Sequence, residues 1–257
     1  MSNNGKKAGR YEGRIVLAAD TSTSRCDLVI AAEGAVLSLV SGDAGVPHSR
    51  TFFDNLNLAL GLAGVDVDRI DIFAAVTGPG SFTGLRVGLA AIGGLADTCR
   101  KPAIGIHRFD LTALTTGVAG RILVLLDAGR SEIFAGLRIV DTEAGVTASG
   151  TDTVGPPAVI LPEILRAGAP DLIIGSGLRS SREVLTDLLS SIPHREVDRP
   201  DPRFDGLQLV NAPFGSVSAE LLAGHALRLD RAGAAPPLKA AYIRPSDAEI
   251  KIRPVAT

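Results

Sequence analysis

Short apolar runs bounded by turn-forming residues fill the first fifty positions of the chain. Ile15 to Asp20, Cys26 to Ala32 and Ala35 to Ser41 predict three strands in an antiparallel meander. From His48 to Gly64 the apolar period lengthens to that of a helix. Phe52, Phe53, Leu56, Ala59, Leu60 and Ala63 share one stripe, Gly64 is placed to cap it, and Leu58 and Leu62 fall outside it. Ile70 to Val76 predicts a buried strand, and the loop Gly78-Pro79-Gly80-Ser81-Phe82-Thr83 leads into a second helix from Gly84 to about Thr98. A strand over Ala103 to Ile106 closes this unit.

The order then starts again. Strands are predicted at Arg121 to Asp127, Glu132 to Ile139 and Gly145 to Thr153, a helix at Pro157 to Ala167, a strand at Asp171 to Ile174 and a helix at Ser180 to Ser190. Two copies of one βββαβα pattern imply an internal duplication. A small detail agrees: the first strand of each half ends in an aspartate before small residues, Asp20-Thr21-Ser22-Thr23 and Asp127-Ala128-Gly129-Arg130. A Pro/Asp-rich loop over Pro193 to Pro213 and a last helix from Ser216 to Arg231 follow. The expected organisation is a disordered leader at 1–13, a first lobe at 14–108, a second, degenerate lobe at 109–213, a C-terminal helix at 214–235 and a basic, proline-bearing tail at 236–257.

The second helix is the unusual element. Val87, Leu89, Ala90, Ala91, Ile92, Leu95 and Ala96 surround it, leaving Arg86 and Gly93 on one polar strip, so it is expected to be buried on more than one side. Each interior glycine among Gly84, Gly88, Gly93 and Gly94 costs roughly 1 kcal/mol of helix propensity relative to alanine. Close packing is the compensation to look for. It can come from the chain's own sheet, or from a second chain seated over Leu58, Leu62 and this helix. Gly80 is assigned to close backbone approach at a contact surface.

Composition narrows the choice of chemistry. The 257 residues are 46% hydrophobic, and 26 basic against 28 acidic residues give a net charge of −2, so no global field draws the chain to nucleic acid or membrane. No apolar run reaches the roughly 18 residues of a spanning helix. Cys26 and Cys99 sit in apolar segments outside any metal-binding spacing, which fits reduced thiols and the cytoplasm.

The two aspartate turns could hold a divalent cation and phosphate oxygens, and facing copies would grip ATP·Mg. Alternatively, each aspartate simply orders its own turn by bonding a nearby backbone amide. The Gly78 to Thr83 loop has no lysine and does not match a P-loop. None of His48, His107, His194 and His225 shares an HxxxH, HxH or HxxE spacing, no G-x-S-x-G elbow is present, and Ser81 has no identifiable base. No catalytic or metal-ligating residue is assigned.

Taken together, Asp20-Thr21-Ser22-Thr23, His48-Ser49, Gly78-Pro79-Gly80-Ser81-Phe82-Thr83-Gly84-Leu85-Arg86-Val87-Gly88, Asp127-Ala128-Gly129-Arg130-Ser131-Glu132-Ile133-Phe134 and Tyr242-Ile243-Arg244 resemble the TsaB (YeaZ) family in order and spacing, over about residues 14 to 250. The long glycine-rich block is the specific part. The resemblance implies an α/β, duplicated ribonuclease-H-like fold of the actin/Hsp70/sugar-kinase (ASKHA) type, two lobes each with a mixed sheet flanked by helices. It implies a non-catalytic scaffold or activating subunit, working in formation of N6-threonylcarbamoyladenosine at position 37 of tRNA beside a TsaD-like catalytic subunit.

Pairing would run through first-lobe helices, with Phe53, Leu58, Leu62, Arg86, Leu89 and Gly93 as the interface. Asp20, Thr21, Ser22, Asp127 and Gly129 become candidate vestigial phosphate loops. A TsaE-like P-loop ATPase joins the implied assembly, tRNA is reached indirectly, and a second copy of the chain is the alternative occupant of the same helices. No cofactor is implied for the chain alone, ATP entering only in the complex. TsaD-like enzymes carry a metal-binding HxxxH where this chain reads His107-Arg108-Phe109-Asp110-Leu111-Thr112, and Gly175-Ser176-Gly177 is a short remnant of an adenosine loop. An ATP-dependent kinase of the same superfamily and an M22-type metallopeptidase are the alternatives.

Overall fold

The computed structural model describes residues 13–33, 35–42, 47–141, 143, 145–201, 206–210 and 219–244. The expected leader, apart from Gly13, lies outside them, as do residues 216–218 of the expected last helix and 245–257 of the tail. The chain divides into two units, Met1–His107 with Ser216–Ala240, and Arg108–Gly215 with Ala241–Thr257.

In the first unit, β1 (Val16–Asp20), β2 (Asp27–Ala32), β3 (Ala35–Ser41), β4 (Ile72–Gly78) and β5 (Ala103–His107) form a sheet in the order β3-β2-β1-β4-β5. The meander is antiparallel, while β4 runs parallel to both β1 and β5. Every residue of β1, β2 and β4 is buried, as befits strands covered on both faces.

Ile15, Leu17, Ala19, Leu28, Ile30, Phe73 and Ala75 build one core with α1 (His48–Ala63) and α2 (Phe82–Cys99). The alternate residues, such as Val16, Ala18, Ile72 and Ala74, are equally buried, and the C-terminal helix Ala219–Arg231 packs across all five strands. Gly64 caps α1 in the left-handed conformation, at φ 65°, as its place after the last buried turn predicts.

The second unit repeats the plan. Between the units' shared chain point and its first strand lies α3 (Arg108–Leu114), followed by β6 (Gly120–Gly129), β7 (Glu132–Asp141), β8 (Gly145–Ala148), β9 (Thr153–Gly155), α4 (Pro157–Arg166), β10 (Leu172–Ile174), α5 (Leu178–Leu188), β11 (His194–Val197) and β12 (Leu207–Val210); the C-terminal helix is then α6. The sheet order is β11-β12-β10-β6-β7-β8, with β9 paired to β7. With β6, β7, β8, β10 and β12 in place of β1, β2, β3, β4 and β5, order and strand directions match those of the first unit. Two sheets flanked by helices, related by duplication, are therefore present.

Four predicted features change. The loop expected over 193–213 holds the parallel strands β11 and β12, whose four-residue lengths carry too little pattern to be seen. The third strand of this half stops at Ala148 and a separate β9 returns to β7. The short α3 escaped because Phe109, Leu111 and Ala113 alternate as in a strand. Phe53, placed on the buried stripe of α1, is 56% exposed.

One buried cation organises the α3 side of the second sheet. Arg138 on β7, with 1% of its side chain exposed, bonds Asp152 through Nη1 at 2.7 Å and Nη2 at 2.9 Å, bonds Asp110 of α3 through Nε, and lies 5.0 Å from the Phe109 ring centroid. Burial pushes the guanidinium pKa down, but the hydrogen bond to Asp152 and the charges of Asp110 and Asp152 outweigh it and hold it above the ordinary value. Arg138→Ala strands both carboxylates and is expected to cost about 3 kcal/mol. Urea denaturation measures this, and a loss below about 1 kcal/mol would mean that both find water.

Candidate functional site

The first aspartate turn is buried beneath the glycine-rich block. Asp20, Thr21 and Ser22 are each no more than 3% exposed. Asp20 Oδ1 accepts the Ser22 backbone N–H at 2.8 Å and the Ser22 hydroxyl. Its other oxygen, Oδ2, is buried with no hydrogen-bond partner among the described residues. Ser81 N donates to Ser22 O at 2.8 Å, and Ser81 Oγ caps α2 by accepting from Gly84 N at 3.2 Å. Thus α2 begins two residues earlier than its glycines suggested.

Three glycines make this contact. A Cβ on Gly80 would lie less than 3.0 Å from Ser22 O, one on Gly84 less than 3.0 Å from Thr21 O, and one on Gly88 less than 3.0 Å from Thr21 Oγ1. The close approach assigned to Gly80 at a contact surface is therefore made to the chain's own first turn. His48 at the start of α1 joins the cluster, its Nε2 bonding Thr23 O at 2.9 Å. Cys26 lies beneath α1; burial, with further help from the charges of Asp27 and Asp20 and opposed by the nearby Asn55 amide, raises its thiol from 9.0 to about 11.

The second turn keeps the same local bond in another setting. Asp127 Oδ1 accepts Gly129 N at 2.8 Å, two residues on as in the first turn, but Asp127 is exposed. Asp127 N donates to Ser176 Oγ at 2.9 Å, and Gly177 N to Leu125 O at 2.9 Å, so the Gly175-Ser176-Gly177 segment is packed on the end of β6. Arg130 and Ser131 form the two-residue hairpin tip, both left-handed at φ 58° and 59°. Arg244, one of the tail cations, braces this hairpin through Ala128 O and Glu132. Each aspartate thus bonds the amide two residues on in its own turn.

On α3, Phe109 and Leu111 are fully buried and Asp110 is bonded to Arg138. Among the described residues no group of three or more His, Cys, Asp or Glu side chains is placed to hold a metal ion, and no helix is long and apolar enough to cross a membrane.

Residues 42–167 match the family model described as TsaD, tRNA N6-adenosine threonylcarbamoyltransferase. The chain is 30% identical over 124 residues to the tRNA threonylcarbamoyladenosine biosynthesis protein TsaB of Haemophilus influenzae, covering 46% of this chain and 51% of that protein. To TsaB of Escherichia coli it is 25% identical over 170 residues, 63% of this chain and 71% of that protein. The chain therefore spans about half the length of the first of these relatives. Its fold superposes on YeaZ from Pseudomonas aeruginosa with a TM-score of 0.67 at 21% identity, over 89% of this chain and 99% of that one. The chain belongs to the TsaB (YeaZ) family.

In this TsaB-family chain the six residues singled out on α1 and α2 do not form one stripe. Phe53, Leu58 and Leu62 are 56%, 53% and 63% exposed. At about 100° per residue, Leu58 and Leu62 share one margin of the outward face of α1 and Phe53 lies about 180° from Leu62, with Asp54, Asn57 and Gly61 between. On α2, Thr83, Arg86, Ala90, Gly94 and Asp97 are exposed, whereas Leu89 and Gly93 are half-buried. The Arg86 guanidinium lies 3.9 Å from the Phe82 ring centroid, and Leu238 lies 3.5 Å from a Cβ built on Gly93. The polar strip assigned to Arg86 and Gly93 is thus a stripe through Arg86, Ala90 and Gly94.

Alanine in place of glycine should act with opposite signs along α2. Gly88→Ala drives a methyl into Thr21 and is expected to destabilise by about 2 kcal/mol or more. Gly94→Ala enters open space on an exposed helix and is expected to stabilise by up to about 1 kcal/mol. Thermal denaturation of both variants reads the difference. In native protein at pH 8, a thiol reagent should label the half-buried Cys99 first, since the Cys26 thiol is buried and protonated; mass spectrometry of the labelled peptides reports the order.

Proposed function

We propose that this protein works in formation of N6-threonylcarbamoyladenosine in tRNA, as a non-catalytic subunit that binds and activates a TsaD-like catalytic subunit through the outward faces of α1 and α2. The observation that carries the reading is the pairing of an aspartate turn closed over by the glycine-rich block with two large apolar side chains, Leu58 and Leu62, exposed on the outward face of α1. Thr21 and Ser22 are closed over by Gly80, Gly84 and Gly88, so their amides are not presented to a nucleotide. Leu58 and Leu62, in contrast, are more than half exposed on α1, where a protein contact would bury them. The names of the TsaB and TsaD relatives supply the pathway.

The small residues Gly61, Ala90 and Gly94 on the outward faces fit close approach by a helix of the partner. A TsaE-like ATPase is part of the same reading as a further member of the assembly, with tRNA engaged through the catalytic subunit. When the chain is alone, the same helices are available to a second copy.

The test is light scattering after size-exclusion chromatography of this chain with its own organism's TsaD-like protein. A 1:1 complex is expected, and Leu58→Glu with Leu62→Glu should weaken it at least a hundredfold, each buried carboxylate costing about 1.5 kcal/mol or more. Circular dichroism of the double variant should remain that of the folded chain, because both side chains point outward. Tight binding of ATP·Mg by the isolated protein in calorimetry would instead favour the kinase-like alternative.

A further inference from the structure

We propose that residues 236–239 are a strap that fixes the C-terminal half of α2 on the first sheet, and with it the face read above as a partner contact. The proposal rests on that reading for its second half only.

β5 is the edge strand of the first sheet, so alternate backbone groups along it point away from the ladder. One of them, Gly105 N, donates to Pro236 O at 3.0 Å. The strap lies flat on the strand: a Cβ on Gly105 would come within 3.0 Å of Pro237 O. Lys239 N then donates to Pro237 O at 2.8 Å, turning the chain so that Leu238 faces inward. Leu238 is half-buried and packs against the α1–α2 core. Pro236 and Pro237 have no backbone N–H, so the strap occupies the edge without offering a new edge of the same kind.

The two halves of α2 are held differently. The N-terminal half is clamped where Gly84 and Gly88 meet Thr21. In the C-terminal half, Ile92 and Ala96 face the core, but Gly93 and Gly94 leave adjacent backbone without side chains of its own. Around a Cβ built on Gly94 nothing lies within 4 Å among the described residues, and around one on Gly93 the sole neighbour is Leu238. Leu238 therefore covers the bare helix backbone at the point where helix propensity is weakest. Loosening the strap should free this half of α2, and the outward residues Ala90, Gly94 and Asp97 that it carries.

Hydrogen exchange on the full chain, read by NMR or at peptide resolution, tests the clamp. Leu238→Ala is expected to speed exchange over residues 93–98 by roughly tenfold or more, with Ile104 and Ile106 in the β4–β5 ladder unchanged. Leu238→Met should restore the wild-type rates. The affinity for the TsaD-like protein should fall roughly tenfold in Leu238→Ala and return in Leu238→Met. Unchanged exchange over 93–98 overturns the strap. Faster exchange with unchanged affinity overturns its coupling to the contact face. A wild-type chain that binds no TsaD-like partner, while exchange still depends on Leu238, rejects the contact reading and leaves the clamp supported.

Discussion

The contact between Thr21 and the glycines at the start of α2 sets much of the first unit. β1 delivers Asp20, Thr21 and Ser22 to the end of a fully buried strand, and β4 delivers the glycine-rich block beside it in parallel. The two loops then have to share one space. They do so because Gly80, Gly84 and Gly88 have no Cβ at the three places where Thr21 and Ser22 approach. The helix gives up propensity at Gly84 and Gly88, and the chain gains a close backbone contact and the bond from Ser81 N to Ser22 O. The position of α2, and of α1 through His48 and Thr23, follows from this contact.

The same arrangement separates two kinds of glycine on one helix. Gly84 and Gly88 face inward and are explained by what they touch. Gly93 and Gly94 are not explained by the first turn: one lies under Leu238 and the other faces open space. Gly94, with Gly61, Leu58 and Leu62, belongs to outward helix faces that also carry Asp54, Asn57, Arg86 and Asp97, so the exposed leucines stand among polar neighbours. The turn is thus closed from within, while Leu58 and Leu62 stay exposed on α1 for the contact proposed above.

The second unit shows how a duplicated plan diverges while keeping its backbone logic. Its five matching strands retain order and direction, and Asp127 keeps the bond to the amide two residues on that Asp20 makes. The surroundings differ. Asp127 is exposed on a hairpin braced by Arg244, and on the α3 side a buried Arg138 joins helix and sheet through Asp110 and Asp152. That ion group demands several partners at once, so it fixes α3, β7 and the approach to β9 relative to one another more strictly than apolar packing would.

Local pattern in the sequence was enough to determine the duplication, the meander and the long helices. Alternation and helical periodicity are local properties, and α1, β3 and the αL cap at Gly64 appear where they place them. It also marked the glycine-rich block and both aspartate turns as special. Tertiary structure alone decided what those features touch. That Gly80 serves Ser22 rather than another chain, that Phe53 is outward, and that four-residue strands hide in a proline-rich loop all depend on pairs distant in sequence. Leu238 is the extreme case: a single leucine in a proline-bearing tail carries no periodic signal, and it acquires a role only because the fold brings it to Gly93.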